Sequence, residues 1–305
     1  MIYYLKKIID KMNEIAIIGI GRWGKNLIRE FSKISKVKIC MTTGDKKNIV
    51  WLKENYPNVI HTTYISDIVN NSNIDAVVIA TPIKTHYTLV KKILESKKHV
   101  FVEKPLAKST HEINDLIKIA KNNKQTLFVG HIFLYNEIFK KLKLILKTES
   151  IKHAIFEWKK LGTFDEDIFE NLLSHDLSLN LDLFGMPKKI KLVRKYGLLT
   201  SIDDFSLELY FNKTKKSEIN IDRTAHYKKK TVMIRTTKNS YIWDDEELLK
   251  FNKVTESYKK IFQTKNTPLY LESKEFIKQV NAKDFCVDSA ILASKISYLI
   301  SKISK

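Results

Sequence analysis

The sequence predicts a two-part α/β chain: a doubly wound parallel sheet, then an α+β domain built on a mostly antiparallel sheet. Three observations carry this reading. A short apolar run, residues 14–19, ends in the glycine-rich turn Gly19-Ile-Gly21-Arg-Trp-Gly24. Strand-like and helix-like runs then alternate as far as residue 130, the pattern of parallel strands joined by crossover helices. Beyond residue 131, strand-like runs follow one another without intervening helices, which favours antiparallel pairing. At 305 residues the chain is about twice the size of an ordinary domain, so two domains are the natural division.

Taken in order, residues 14–19 read as a buried parallel strand and 22–32 as a helix. The runs 37–41, 75–80, 99–102 and 126–129 read as further buried strands. Between them, 45–55, 86–96 and 108–122 read as crossover helices. In the second part, 135–147 is an amphipathic helix, 151–159 a strand and 170–184 a helix. The runs 188–199, 204–212, 216–224 and 230–243 alternate polar and apolar residues as strands, and helices at 270–280 and 284–302 close the chain. This gives a first domain over 1–130, with 1–12 as an extension ahead of the first strand, and a second over 131–305 whose last helices pack back on the first.

Composition narrows the function class. No apolar stretch approaches the length of a membrane span. The opening segment is basic and partly apolar but lacks the long core and small-residue cleavage site of a signal peptide, and Met12 is an alternative start. Cys40 and Cys286 are far apart with no metal-ligand spacing, as expected of free thiols in a reducing cytoplasm, and no metal site is read. The formal charge of +20 comes from 54 basic residues, of which only five are arginines, spread along the chain. Nucleic-acid binding calls for a concentrated patch and a recognition element, and neither is present. Diffuse positive charge instead suits recruitment of an anionic small substrate. The run Lys228-Lys229-Lys230 beside Tyr227 reads as a solvated turn.

The glycine turn is placed where dinucleotide binding requires it, after a strand and at the start of a helix. Gly19 makes the tight turn, Gly21 lets the backbone approach a pyrophosphate, and Gly24 allows close helix–strand packing. Arg22 and Trp23 sit at the helix N-terminus, whose free N–H groups suit phosphate. The acid expected about 20 residues on, to hold the adenosine ribose, has no clear counterpart. Thr42 and Thr43 end the second strand, and Asp45 lies further along. Thr42 or Thr43 with Lys46 or Lys47 can instead hold a 2′-phosphate, so NAD and NADP both stay open.

Ala80-Thr81-Pro82 with Thr85-His86-Tyr87, Glu103-Lys104-Pro105, and His175 ten residues before Gly185 complete a pattern with this turn. On these motifs the chain, over about residues 14–300, resembles the Gfo/Idh/MocA oxidoreductase family (glucose–fructose oxidoreductase, inositol dehydrogenase and rhizopine catabolism). A narrower resemblance, to nucleotide-sugar 3-dehydrogenases acting on UDP-N-acetylglucosamine or its uronic acid, rests on residues 21–26, 130–136, 161–162 and 174–176. It implies NAD-dependent oxidation of the sugar C3 hydroxyl in surface polysaccharide (lipopolysaccharide) synthesis, with an aminotransferase as pathway partner.

The resemblance assigns Lys104 and His175 to catalysis. Lys104 follows a parallel strand, where open sheets place ligands, and its ammonium can bind the reacting hydroxyl. His175, with an unperturbed pKa of about 6.5, is the natural proton acceptor. Thr81, Pro82 and His86 line the cofactor mouth, and Glu103 orients the lysine or meets the nicotinamide. Tyr135, Asn136, Lys160, Asn171 and Asp176 are the substrate-side candidates. The chain also departs from the family: Asn171 and Ser178 stand where aspartates are common, and Trp158 and Lys160 where arginine and asparagine are frequent. A free sugar, an inositol or a cyclic amino sugar is the alternative substrate, and a catalytically silent cofactor-binding protein the alternative class. Family analogy also implies a homodimer or homotetramer that covers an exposed sheet face.

Overall fold

The computed structural model describes residues 12–303, so residues 1–11 of the proposed extension lie outside the described residues. The chain divides into two compact units. One runs to Gly130 and takes in Leu269–Ser294; the other comprises His131–Pro268 and the chain from Lys295 onward. The first unit thus combines the chain up to residue 130 with the later segment Leu269–Ser294.

The first unit is a six-stranded parallel sheet in the order β3-β2-β1-β4-β5-β6. Its strands are β1 (Glu14–Ile18), β2 (Lys36–Met41), β3 (Ile60–Thr62), β4 (Ala76–Ile79), β5 (His99–Glu103) and β6 (Leu127–Gly130). The crossovers are α1 (Arg22–Phe31), α2 (Lys46–Asn55), the short α3 (Ser66–Val69), α4 (His86–Glu95) and α5 (Thr110–Asn123). The cores of the central strands, 15–18, 76–79, 100–102 and 127–129, are apolar throughout because helices cover both faces. On one face Val100, Val102, Leu127 and Val129 pack with Ile93, Leu116 and Ala290. On the other, Phe101 and Phe128 stack at 5.3 Å between ring centroids. Phe31 and Phe276 meet Phe101 edge-on at 5.6 Å each. Phe276 is fully buried, and it docks the returning segment; truncating such a ring costs about 3–5 kcal/mol.

The second unit begins with α6 (Glu137–Ile145), β7 (Ile151–Lys159) and α7 (Ser174–Phe184), the last preceded by a wider helical turn at Phe169–Leu173. Its strands β8 (Lys189–Tyr196), β9 (Asp204–Tyr210), β10 (Lys216–Asp222), β11 (Lys229–Thr236), β12 (Ser240–Asp244), β13 (Glu247–Asn252) and β14 (Ser257–Gln263) join β7 in one sheet. The order is β14-β13-β12-β11-β7-β10-β9-β8, antiparallel except for β7 with β10. The run 230–243 is therefore two strands, not one, with a turn at Thr237–Asn239, and β13 and β14 go beyond the sequence expectation. Helix α8 (Pro268–Val280) belongs to the first unit apart from Pro268, and α9 (Asp288–Ile303) crosses from the first unit to the second after Ser294.

Alternation separates the faces of the second sheet. Ala154, Phe156, Ile219, Ile221, Leu207, Val232 and Ile234 are buried on one face. The opposite face carries ion pairs: His153 with Glu218 at 2.9 Å, Lys229 with Glu157 at 2.6 Å and Lys216 with Glu208 at 3.3 Å. Among the described residues no helix is long and apolar enough to cross a membrane.

Candidate functional site

The glycine turn sits at the C-terminal ends of β1 and β4, where the strand order reverses and open α/β sheets take their ligands. Gly19 has φ +99°, a left-handed conformation, and a side chain on it would collide with the Ala80 carbonyl. A side chain on Gly24 would collide with the Gly19 carbonyl, so α1 can approach β1 only with glycine there. Over Gly21 the space is open for at least 4 Å. No side chain caps α1, so its first N–H groups face outward beside Arg22 and Trp23. A tight turn, close helix packing and open room above the middle glycine together fit a dinucleotide pyrophosphate.

Three further sequence-selected groups gather at the ends of β4 and β5. The Trp23 indole N–H donates to Glu103, the last residue of β5. Burial pushes the Glu103 carboxyl up to about 7, against the opposing pull of the Trp23 hydrogen bond and the Lys104 charge. Lys104 follows, half-buried, at the strand end. The Thr85 hydroxyl donates to the Thr81 hydroxyl at 2.7 Å, which fixes the turn through Pro82. His86 is buried with Nδ1 2.7 Å from the Pro105 carbonyl and Nε2 2.7 Å from the Thr81 carbonyl. Burial lowers its pKa while the two carbonyls work to raise it. Each ring nitrogen lies within hydrogen-bond distance of a carbonyl, so His86 ties the β4 and β5 ends together.

At the end of β2, Thr42 is half-buried, with its N–H on the Thr62 carbonyl at 3.2 Å, and Thr43 is exposed. Asp45 accepts from the Lys47 N–H at 2.8 Å and caps α2.

The second unit holds a separate cluster around His175. The Trp158 ring stacks on the imidazole at 5.6 Å, and Phe133 meets it edge-on at 4.9 Å. Asp176 is 2 % exposed, and its Oδ2 has no hydrogen-bond partner. Burial raises its pKa to about 7, against the pull of Lys230. The remaining substrate-side candidates are more dispersed. Tyr135 is half-buried under Lys140, whose Nζ lies 5.6 Å from the ring. Asn136 is buried, and its side chain accepts from the Ile138 N–H at 2.7 Å as the cap of α6. Lys160 is exposed at the end of β7, and Asn171 is half-buried one helical turn before His175.

Lys230 is the residue that sequence reasoning missed. It pairs in register with Trp158 across β7 and β11. Its Nζ is buried over the Phe133 and Trp158 rings, 4.0 Å from the Trp158 centroid, with no hydrogen-bond partner. Burial lowers its pKa far below the usual lysine value, against the pull of Asp176. The signal was present in the alternation: positions 230, 232 and 234 share a face, and Val232 and Ile234 are buried. Lys230 also lines a pocket of about 270 Å³ with Phe133, Asn136, Trp243, Asp245 and Thr264. Among the described residues no group of His, Cys, Asp and Glu is placed to hold a metal ion.

Residues 13–131 match the model of the oxidoreductase family with an NAD-binding Rossmann fold. The uncharacterized oxidoreductase YrbE of Bacillus subtilis is 31% identical over 138 residues, which are 45% of this chain and 40% of that protein. The scyllo-inositol 2-dehydrogenase (NADP(+)) IolW of the same organism is 25% identical over 66% of this chain and 60% of its own length. This chain thus spans less than two thirds of either relative. The structure of the UDP-N-acetylglucosamine 3-dehydrogenase GnnA from Acidithiobacillus ferrooxidans superimposes with a TM-score of 0.86 at 18% identity, covering 95% of both chains, a likeness of fold.

Proposed function

We propose that this chain, whose residues 13–131 match the model of the oxidoreductase family with an NAD-binding Rossmann fold, is an NAD(P)-dependent oxidoreductase of a sugar ring hydroxyl. The observation that carries the proposal is the turn at 19–24, open above Gly21 and closed at Gly19 and Gly24, beside the strand that ends in Glu103 with Lys104 next in the chain. The substrate proposed is a UDP-N-acetylhexosamine or its uronic acid, oxidised at C3. The motifs shared with nucleotide-sugar dehydrogenases support that choice, as does the fold likeness to GnnA.

When bound, a nicotinamide supplies the acceptor for the hydride leaving the carbinol carbon. Lys104 donates to the hydroxyl oxygen and stabilises negative charge as it develops there. An imidazole nitrogen of His175 takes the hydroxyl proton, completing a two-electron oxidation to the ketone. Phe133 and Trp158 hold the imidazole plane from two sides. Asp176 and Lys230 offer one acceptor and one donor to a polar group of the sugar. A homodimer or homotetramer and a downstream aminotransferase belong to the same proposal.

Mass spectrometry of products tests it, with purified protein, NAD or NADP, the two UDP-sugars, and 2-oxoglutarate to recycle a retained reduced cofactor. Expected is loss of two hydrogens from one UDP-sugar, abolished in Lys104→Ala and in His175→Ala. Turnover of a free inositol or sugar alone would move the substrate class. Cofactor binding without turnover of any of them would overturn the enzyme reading.

A further inference from the structure

An amine taken out of water needs an acceptor, and Lys230 has none. Its neighbours on the same face of the sheet are Val232, two residues on, and Trp158, directly opposite on β7. Its Nζ lies over the Phe133 ring and 4.0 Å from the Trp158 centroid, out of reach of solvent and with no hydrogen-bond partner. The rings offer a cation their faces but no lone pair for its N–H groups. An apolar side chain of similar length would fill the place without that cost. Burial therefore drives the proton off, helped by Lys228, while Asp176 on α7 and Asp245 in the β12–β13 turn act to keep it.

The amine borders a cavity of about 270 Å³ that lies wholly within the second unit. Phe133 and Asn136, from the turn that leads into α6, form its wall with Trp243 of β12 and Thr264, just after β14. That wall is pinned in place. Glu137 accepts from the Lys265 N–H at 2.6 Å and from the Asn266 N–H at 3.1 Å. The Thr264 N–H donates to the Glu246 carbonyl at 3.0 Å, and the Trp243 indole to the Asp245 carbonyl at 2.9 Å. Asn136 is 6 % exposed and uses its Oδ1 to cap α6, which leaves its Nδ2 as a second donor beside the cavity. The charged side chains that also line it, Asp245, Glu246 and Lys265, are exposed and sit at its rim.

We propose that Lys230 and Asn136 form a subsite for a carboxylate of the substrate, so that the sugar oxidised is the uronic acid and not the hexosamine. This rests on the reading of the chain as a nucleotide-sugar oxidoreductase. A carboxylate brings one charge and two acceptor oxygens, one for each donor, and its charge lets the amine hold its proton. A diphosphate offers the same oxyanion chemistry but carries two charges. One amine neutralises one of them, and the other would stay among Phe133, Trp158 and Trp243 without a partner.

Titration calorimetry of the full chain with NADH present compares UDP-N-acetylglucosaminuronate, UDP-N-acetylglucosamine and UDP without turnover. Expected in the wild type is a preference for the uronate of about tenfold or more, as one charge-assisted hydrogen bond supplies. Lys230→Met should bring the two sugars within about twofold of each other and leave UDP unchanged. Methionine fills a similar volume without the charge, so the variant should melt no lower than the wild type. Asn136→Asp, which keeps the cap of α6 and sets a like charge at the subsite, should weaken the uronate alone by about tenfold. Equal losses for both sugars and UDP in Lys230→Met would assign the amine to the diphosphate and overturn the proposal, as would a wild type that binds both sugars alike. A lower melting temperature in Lys230→Met with the preference intact would make the amine architectural and overturn it too. If the preference and its loss appear but neither sugar is oxidised with NAD or NADP, the function reading fails and the subsite stands. If both proteins oxidise the two sugars equally well, the subsite fails and the function stands. Binding of neither sugar removes both.

Discussion

The second unit buries two acid–base pairs close together in sequence, and they could hardly differ more. Asp203, 0 % exposed, accepts from the N–H groups of Leu198, Leu199 and Thr200, from the Thr200 hydroxyl at 2.7 Å and from Arg223 at 2.9 Å. Arg223 spends its remaining donors on the carbonyls of Thr163, Glu166 and Ile202 and on the Thr200 hydroxyl. Seven residues on, Lys230 and Asp176 lie near enough to act on each other's charge, yet no ion pair joins them. Burial is shared, so burial does not distinguish the pairs; the donor count does. Burial alone would raise Asp203, but its backbone and hydroxyl donors pull it well below the carboxylate range. Asp176, lacking them, is pushed up to about 7. A satisfied pair holds loops together, whereas an unsatisfied one keeps bonding capacity for a group the chain does not supply.

The largest expected effect falls on the satisfied pair. Arg223→Met leaves Asp203 buried without its cation and strands the carbonyls of the 163–166 loop. It should cost about 3–5 kcal/mol in urea unfolding. A loss below about 1 kcal/mol would mean that the backbone donors alone carry Asp203, and the comparison would lose its structural half.

The unsatisfied pair should respond to pH with the opposite sign. Asp203 has a folded pKa below its unfolded value, so its stabilisation is present above pH 3.8 and is lost as pH falls. Asp176 has a folded pKa raised from 3.8 to about 7, so the native state holds the extra proton. Its contribution is therefore complete below about pH 4 and drains away as pH rises through 7. Asp176→Asn should remove that decline, gaining about 2 kcal/mol at pH 7.5 relative to pH 4 after allowance for local relaxation. Lys230, with a lowered pKa, acts in the reverse direction, and because Asp176 bears on it the wild-type minus Asn difference reports on the pair. Product formation in the same variant should fall at least tenfold. A stable variant with full activity would make Asp176 architecture after all.

What the sequence disclosed follows the same division between local and distant causes. The first sheet was legible because strands buried on both faces are apolar at every position, as 76–79 and 100–102 are. The glycine turn was legible because its demands are local. The second sheet was partly misread because Thr237–Asn239 is a short turn inside one alternating run, and β14, Ser257–Gln263, is mostly exposed. The return of Leu269–Ser294 depends on Phe276 meeting three rings distant in sequence. Outside the candidate site a second residue, Glu272, a fully buried acid on α8, escaped with Lys230, because a charged residue looks solvated until its surroundings are known. Lys230 had a period-2 clue, whereas Glu272 had none beyond the helix on which it rides.

Asp45 is the smallest and sharpest case, since it stands between the two kinds of acid. It is exposed and, among the described residues, its carboxylate accepts from the Lys47 N–H, which makes it the cap of α2. An exposed cap contributes about 1 kcal/mol, so Asp45→Ala should lower stability by that amount. The same carboxylate also lies just beyond β2, where a ribose acid would be useful to an NAD-specific site. If capping is its whole role, NADH and NADPH affinities should both stay within about twofold in the variant. A tenfold loss for NADH alone, about 1.4 kcal/mol, would mean that the ribose hydroxyls draw on the carboxylate as well. Donor count would then mark function only for buried acids, because at the surface water can replace a chain donor whenever a ligand takes the acid away.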